Sequence, residues 1–123
     1  MAAKDAIGRY GEDVAARHLT DSGLTIIERN WRCRQGELDI IAVDDGVLVF
    51  CEVKTRSSTR FGVPSEAVVG AKAERVRTLA LAWLAARRAD GERDFWPDLR
   101  FDVVSVLRPS RGAAVVEHLR GAF

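Results

Sequence analysis

The pattern of apolar and polar positions along the chain predicts helices and strands in the order αβββαββ. Apolar or small residues recur three or four positions apart over residues 4–22, which predicts a first helix that ends at Gly23. Residues 24–31 are rich in β-branched and aromatic side chains and predict a strand. Further along, a segment rich in serine, glycine and proline predicts a loop at 55–65, and an amphipathic stretch within 66–89 predicts the second helix.

Two neighbouring apolar runs, residues 37–43 and 47–54, predict a β-hairpin. They are joined at Asp45-Gly46, a dipeptide typical of a two-residue turn in which both central residues have positive φ. Such a turn fixes the register, so residues equally distant from it lie opposite each other and project on the same side of the sheet. The charged residues of the two strands are therefore predicted to face each other in pairs.

The C-terminal part of the chain predicts two more strands. Residues 99–107 are apolar on both faces, as expected of a central strand, and residues 113–119 predict an edge strand. The fold class is therefore α/β: a single domain over residues 1–123, with a mixed sheet of about five strands flanked by helices. Asp102 interrupts the first of these runs, and it would either pair with an arginine or lysine of a site or mark the polar start of the strand.

The hairpin register brings four charged residues together at the end distant from the turn. Asp39 faces Glu52 and Glu37 faces Lys54, all on one side of the sheet. Directly opposed like charges destabilise a sheet, and unpaired buried charge is costly, so a cation is expected between the carboxylates. Magnesium or manganese fits, because such ions are held by carboxylates, and the Val53 carbonyl would add a ligand. The alternative is a set of salt-bridged residues at a frayed, solvent-exposed hairpin end.

Composition and charge are those of a folded, nearly neutral protein. The chain has 123 residues, of which 47% are hydrophobic and 30% charged, and its formal net charge is +1. Any nucleic-acid binding would therefore depend on a local basic patch. Cys33 and Cys51 lack CxxC spacing and a histidine cluster, which argues against a disulfide scaffold or a zinc site. Charges near the N-terminus argue against a signal peptide, and the apolar stretch at 78–86 is too short for a membrane span, so we predict a cytoplasmic protein.

A local basic patch is predicted beside the acidic residues. The candidate phosphate contacts lie on the segments that enter and leave the hairpin and at the start of the second helix: Arg32, Arg34, Gln35, Arg56, Arg60 and Lys72. Contacts of this kind would give salt-sensitive binding with little sequence specificity. Ordinary solvated charge is the alternative for each of them.

Four blocks of sequence, spread over nearly the whole chain, resemble known families. The blocks that resemble the YraN-like family of uncharacterised bacterial proteins are GRYGEDVAARHL (8–19), RQGELDIIA (34–42), VFCEVKTR (49–56) and RFDVV (100–104). Asp39 together with Glu52-Val53-Lys54 also resembles the Asp…Glu-x-Lys signature of the restriction-endonuclease-like nuclease superfamily, written PD-(D/E)xK. This layout is similar to that of archaeal Holliday junction resolvases. Leu38 stands where many members of the superfamily have proline.

The resemblance implies a restriction-endonuclease-like fold and a set of catalytic residues. Asp39 and Glu52 would bind Mg²⁺ or Mn²⁺, and Lys54 would stabilise charge or orient water. Glu12 corresponds to the first-helix glutamate of these nucleases and would reach the metal through water; a solvent-facing glutamate early in a helix is the alternative. Glu37 joins this set through its predicted position opposite Lys54.

The function implied by the resemblance is a metal-dependent endonuclease that hydrolyses phosphodiester bonds in branched or irregular DNA, with a role in DNA repair or recombination. Resolvases of similar size act as symmetric dimers, so a homodimer is expected. Two alternatives stay open. One is a non-catalytic nucleic-acid-binding protein that retains the nuclease fold, and the other is an interaction module whose charge cluster is merely structural.

Overall fold

The computed structural model describes residues 3–57 and 71–123. Within these ranges the chain forms α1 (Ala3–Asp21), β1 (Thr25–Cys33), β2 (Gly36–Asp44), β3 (Val47–Arg56), α2 (Ala71–Ala89), β4 (Leu99–Leu107) and β5 (Val115–Leu119). The predicted order αβββαββ and the α/β class are confirmed. The end of the predicted loop and the predicted helical residues 66–70 lie outside the described residues. No helix within the two described ranges is long and apolar enough to cross a membrane.

The five strands form one mixed sheet in the order β1-β2-β3-β4-β5. β3 and β4 are parallel, whereas the other neighbouring strands are antiparallel. β4 lies between β3 and β5, which explains why residues 99–107 are apolar on both faces, and β5 is an edge strand as predicted. β3 continues further than predicted, through Thr55 and Arg56, because both residues pair with β4. β5 begins later than predicted, at Val115.

The hairpin of β2 and β3 has the predicted turn and the predicted register. Asp45 and Gly46 have φ values of 50° and 83°, the left-handed conformation that this two-residue turn requires and that glycine adopts readily. Backbone pairing runs from the turn as far as Ile40 opposite Cys51. The charged residues of both strands therefore lie just past the last paired residues.

Within residues 3–57 and 71–123, one helix covers each face of the sheet, as the nearly continuous apolar strands require. α1 packs through Ala15 and Leu19 against the face that carries Ile40. α2 packs on the other face, where Trp83 contacts Phe50 edge to face with ring centroids 5.8 Å apart. The buried residues of the α2 stripe are Ala73, Val76, Leu79, Ala80 and Trp83. Leu84, on the same helix, is half-buried.

Gly11 allows α1 to lie close to the end of β3. A Cβ atom at Gly11 would come within 2.8 Å of the Thr55 Cβ, closer than side chains approach each other in folded proteins. Gly11 is the point of contact, whereas Gly8 has open space beside it. Glu12, the next residue, is thereby placed beside the end of the hairpin.

Candidate metal centre

Asp39 lies where the regular pairing of the hairpin ends. Past the last paired residues, the Val53 N–H donates a hydrogen bond of 2.8 Å to the Asp39 carboxylate. Leu38 and Ile41 both pack on the α2 side of the sheet, whereas Ile40 packs on the α1 side, so the alternation of side chains is interrupted here. This interruption turns Asp39 toward α1, away from the side on which the register alone would place it.

The interruption separates charged residues that were predicted to share one side of the sheet. Asp39 and Glu37 lie with Glu12 of α1, whereas Glu52 forms an ion pair with Lys72 of α2, with 3.3 Å between Oε1 and Nζ. The prediction of a single shared face was wrong, because it assumed strict strand alternation beyond the last hydrogen-bonded pair.

Three carboxylates converge on an open cavity of about 390 Å³. Glu12, Glu37 and Asp39 each present a carboxylate oxygen, and these oxygens lie within 4.8 Å of one another. Lys54 and Thr55 of β3 line the same cavity, together with residues of α1. Four candidates from three separate segments of the sequence are thus brought together in space, whereas Glu52 does not line this cavity.

The pKa values of two carboxyl groups in the cavity, those of Asp39 and Glu12, are raised. Burial and the neighbouring Glu52 carboxylate raise the pKa of Asp39 to about 7, against the effect of the hydrogen bond from Val53. Burial and then the Glu37 carboxylate raise the pKa of Glu12 as well. Negative charge in this cavity is therefore under-compensated by the protein's own groups.

The basic side of the site contains two neighbouring lysines. Burial and then the adjacent Lys72 lower the pKa of Lys54. Lys72 itself is bound to Glu52, whose side chain is only 14% exposed. The Glu-x-Lys segment therefore faces a second lysine that the signature does not include.

Asn30 is a contributor that the sequence analysis missed. It lies on β1 with φ of 55°, between residues that pair regularly with β2. With its amide nitrogen turned toward Glu12, Asn30 donates hydrogen bonds to both oxygens of that carboxylate. The signal in the sequence is an asparagine inside a strand, since asparagine adopts positive φ more readily than most other residues.

Three of the predicted phosphate contacts lie on or beside the turn between β1 and β2. Arg34 and Gln35 are exposed there. Arg32 has a side chain that is 78% exposed, and it donates a hydrogen bond of 2.6 Å to Glu37. This turn therefore presents polar and cationic groups next to one carboxylate of the cavity.

The other predicted phosphate contacts are placed differently. Arg56 is half-buried at the end of β3, and Arg60 lies outside the described residues. Lys72 is bound to Glu52, so a contact between Lys72 and a phosphate requires its release from that carboxylate.

The donor set of the cavity fits a hard divalent cation. Mg²⁺ prefers oxygen ligands at about 2.0–2.1 Å, which puts opposite ligand atoms of one ion about 4.2 Å apart. The oxygens of Glu12, Glu37 and Asp39 are already within 4.8 Å of one another, so one ion would reach all three after small side-chain movements. Val53 contacts Asp39 through its N–H, and the role of its carbonyl as a ligand stays a prediction.

A second charged cluster lies inside the sheet. Asp102 is fully buried, and it accepts two hydrogen bonds of 2.9 Å from Arg100 and one of 2.9 Å from the Gly121 N–H. The His118 Nε2 lies 2.7 Å from the same carboxylate. Burial alone would raise the pKa of Asp102, but these hydrogen bonds together lower it to about 2. Asp102 therefore pairs with Arg100, which also donates a hydrogen bond to Asp44 of β2. Asp102 does not line the acidic cavity.

The fold and the cavity define an α/β protein with an acidic site at the open end of a β-hairpin. Residues 11–106 match the model of the "Uncharacterised protein family UPF0102", and the chain belongs to this family. A UPF0102 protein of Frankia casuarinae is 58% identical over 123 residues, which is 100% of both chains. A UPF0102 protein of Frankia alni is 60% identical over 124 residues, covering 100% of this chain and 98% of the relative. The resemblance to a family of uncharacterised bacterial proteins is thereby confirmed.

Proposed function

We propose that the protein is a metal-dependent endonuclease that hydrolyses phosphodiester bonds in branched or irregular DNA. The observation that carries this proposal is the convergence of Glu12, Glu37 and Asp39 on one open cavity that Lys54 also lines. An under-compensated acidic cluster destabilises a fold, so its presence favours a role with an external cation. Magnesium or manganese would supply positive charge that polarises a phosphoryl oxygen and favours attack by water at neutral pH.

The side chains of the cavity have separate roles in this proposal. Glu12, Glu37 and Asp39 hold the cation, and Asn30 orients Glu12 through its amide group. Lys54 contacts the attacking water or a nonbridging phosphate oxygen, where its ammonium offsets the negative charge that develops during hydrolysis.

DNA is a suitable substrate class because the cavity is open and the adjacent turn is polar. Arg34 and Gln35 are exposed on this turn and would contact backbone phosphates on either side of the scissile bond. Such contacts favour recognition of DNA shape over base sequence. A symmetric homodimer would present one cavity to each of two strands.

A cleavage assay tests the proposal on labelled duplex, flap and four-way junction DNA, with Mg²⁺ or Mn²⁺. We expect Asp39→Asn to lower the cleavage rate by about 100-fold or more, and Glu12→Gln by about 10-fold, because both remove charge from the metal ligands. Asp13→Asn is the matched control, since Asp13 follows Glu12 on α1 but pairs with Arg29 at the surface.

Two results would change the assignment. Full cleavage by both Asp39→Asn and Glu12→Gln would exclude the cavity as the active site. Binding of DNA without cleavage by the native protein, in either metal, would favour the non-catalytic alternative.

A further inference from the structure

Arg108 is an exposed arginine whose position is fixed at one end of the sheet. It directly follows β4, and its backbone N–H donates a hydrogen bond of 2.7 Å to the Arg56 carbonyl at the end of β3. Its guanidinium carbon lies 5.6 Å from the centre of the Tyr10 ring, within the range of a cation–π interaction. Among the residues that the structure describes, Arg108 forms no ion pair, so its charge is available to an external anion.

The Tyr10 ring is itself anchored in the core on the α1 side of the sheet. Tyr10 is half-buried and packs against the apolar cluster that contains Ala15 and Leu19. A guanidinium group that lies over an aromatic ring keeps its N–H donors for an anion. Because the ring restricts the arginine side chain before any ligand arrives, less conformational entropy is lost when a ligand binds.

α1 places Glu12 and Tyr10 on opposite flanks of its contact with β3. Gly11 meets the Thr55 side chain of β3, and successive residues of a helix project about 100° apart. Glu12 therefore turns toward the acidic cavity, and Tyr10 turns toward Arg108. The cavity and Arg108 thus lie on either side of α1 at the same end of the sheet.

The order of the strands places cationic groups on both sides of the acidic cavity. Arg34 lies on the turn between β1 and β2, and β2 and β3 contribute cavity residues. β4 is parallel to β3 and ends beside it, so Arg108 lies on the far flank. Ionised carboxylates repel a phosphate backbone, so a DNA strand that crosses the cavity needs cationic contacts on its flanks.

We propose that Arg108, held on the Tyr10 ring, contacts a phosphate of the DNA strand that crosses the cavity, on the flank opposite Arg34. The inference rests on the proposed function, because DNA is the substrate assigned there. Neighbouring strands of a sheet are about 4.8 Å apart, so β4 lies about 10 Å from β2. A duplex strand advances about 3.4 Å per phosphate, which places the contact about two or three nucleotides from the phosphate at the cavity. Tyr10 is a positioning residue, since it acts through Arg108.

Fluorescence anisotropy with labelled duplex and four-way junction DNA tests the contact, in EDTA and in Ca²⁺, at several salt concentrations. We expect Arg108→Met to bind DNA about 10-fold more weakly than the native chain at low salt, and to lose about one phosphate contact from the salt dependence. Arg108→Lys keeps the charge and should keep the salt dependence. The matched control is Arg88→Met, which should bind as the native chain does. Arg88 is exposed and lines a cavity together with Leu99, at the other end of β4.

A double-variant comparison tests the positioning role of Tyr10. Tyr10→Leu removes the ring under Arg108, and we expect it to weaken DNA binding by about 3-fold in the native chain and no further in Arg108→Met. Tyr10→Phe keeps the ring and should bind DNA as the native chain does. A merely structural tyrosine would weaken binding equally in both backgrounds, and that result would overturn the positioning role.

Cleavage of junctions that each carry one neutral methylphosphonate linkage locates the contact along the strand. In the native chain, a neutral linkage about two or three nucleotides from the cut should slow cleavage, whereas Arg108→Met should be insensitive to it. Equal sensitivity of the two proteins at that linkage would overturn the assignment of the phosphate to Arg108.

The outcomes separate this inference from the proposed function. If the native chain binds DNA and Arg108→Met binds it equally, with an unchanged salt dependence, the Arg108 contact is overturned and the cavity is unaffected. If the native chain binds DNA but does not cleave it in Mg²⁺ or Mn²⁺, the proposed nuclease activity fails, and the binding data still decide the Arg108 contact. If the native chain binds no DNA in either condition, both fail.

Discussion

Asp39 and Asp102 are aspartates on strands of the same sheet, yet their surroundings shift the pKa values of their carboxyl groups in opposite directions. Asp102 is fully buried and receives hydrogen bonds from Arg100 and the Gly121 N–H, and its pKa is lowered to about 2. Asp39 accepts a hydrogen bond from the Val53 N–H but lies beside other carboxylates, and its pKa is raised to about 7.

The difference separates a carboxylate that stabilises the fold from one that is suited to bind something else. A charge that is neutralised by groups of the same chain contributes to folding, as at Asp102. A charge that its surroundings disfavour, in an open cavity, is a candidate for an external cation, as at Asp39. Whether a polar residue is buried therefore says less about its role than the charges of the groups around it.

The largest expected effect is on Asp102. Asp102→Asn should lower the free energy of unfolding by about 3–5 kcal/mol, because Arg100 loses a charged partner and the new amide N–H₂ meets other donors. Urea unfolding at pH 7 measures the change. The control is Asp13→Asn, which removes an exposed ion pair with Arg29 and should cost less than about 1 kcal/mol. If Asp102→Asn and Asp13→Asn lost the same unfolding free energy, Asp102 would not be the stabilising carboxylate that the comparison with Asp39 requires.

The pH dependence of the same network has a defined direction. Because the pKa of Asp102 is lowered from its ordinary 3.8 to about 2, its stabilising contribution is present above pH 3.8 and lost as the pH falls toward 2. Urea unfolding of the native chain and Asp102→Asn between pH 2 and 6 checks this. The two proteins should converge in stability at the acid end of this range.

Gly11→Ala is expected to have the next largest effect, on the Asp39 side of the comparison. An added Cβ would overlap the Thr55 side chain, so α1 must move away from β3, with a loss of about 2–3 kcal/mol in unfolding free energy. Gly8→Ala is the control, since it meets open space and should stabilise α1 by about 0.5–1 kcal/mol. Gly11→Ala should also weaken Mn²⁺ binding, because Glu12 moves with the helix. An unchanged affinity would show that Glu12 is not part of the site.

Asp39→Asn should stabilise the metal-free protein, the opposite of the effect at Asp102. Because the pKa of Asp39 is raised to about 7, the folded state favours the protonated form, and stability is lost as the pH rises from about 4 through 7. Asparagine removes the charge and keeps an acceptor for the Val53 N–H. We expect a gain of on the order of 1–2 kcal/mol at pH 8 and almost none at pH 4, measured by urea unfolding in EDTA. A loss of stability at pH 8 would contradict the account.

The smallest effect is expected at Glu37, which is an intermediate case because exposed Arg32 partly neutralises it. Arg32→Gln should change the free energy of unfolding by less than about 1 kcal/mol, since the Arg32 side chain is 78% exposed. If Arg32 also contacts phosphate, the same variant should reduce the salt dependence of DNA binding by about one phosphate contact. Fluorescence anisotropy at several salt concentrations measures that slope, and an unchanged slope would assign Arg32 to Glu37 alone.

Periodicity and turn chemistry were enough to predict the fold. The apolar runs fixed the strands, and Asp45-Gly46 fixed the hairpin register as far as Ile40 opposite Cys51. The predicted register was wrong beyond that point, because one irregular position in a strand reverses the side of every following side chain. At this position the Val53 N–H donates a hydrogen bond to the Asp39 carboxylate.

Only part of the candidate site was predicted, because local sequence patterns do not record tertiary contacts. Glu12, Glu37, Asp39 and Lys54 were named from the sequence and line one cavity. The ion pair of Glu52 with Lys72 depends on how α2 docks on the sheet, which no local pattern records. The charge-neutralised setting of Asp102 likewise depends on tertiary contacts, since His118 lies on β5 and Gly121 follows it in the chain.

The pKa of Asp39, followed by carbon NMR of its carboxyl group with and without Mg²⁺, tests the central claim most directly. Without metal, the account predicts a pKa near the raised value of about 7. With saturating Mg²⁺, the pKa should fall below the ordinary 3.8, because the cation favours the ionised form. An ordinary pKa without metal, or a raised pKa that Mg²⁺ leaves unchanged, would contradict the claim that this carboxylate is poised for a cation.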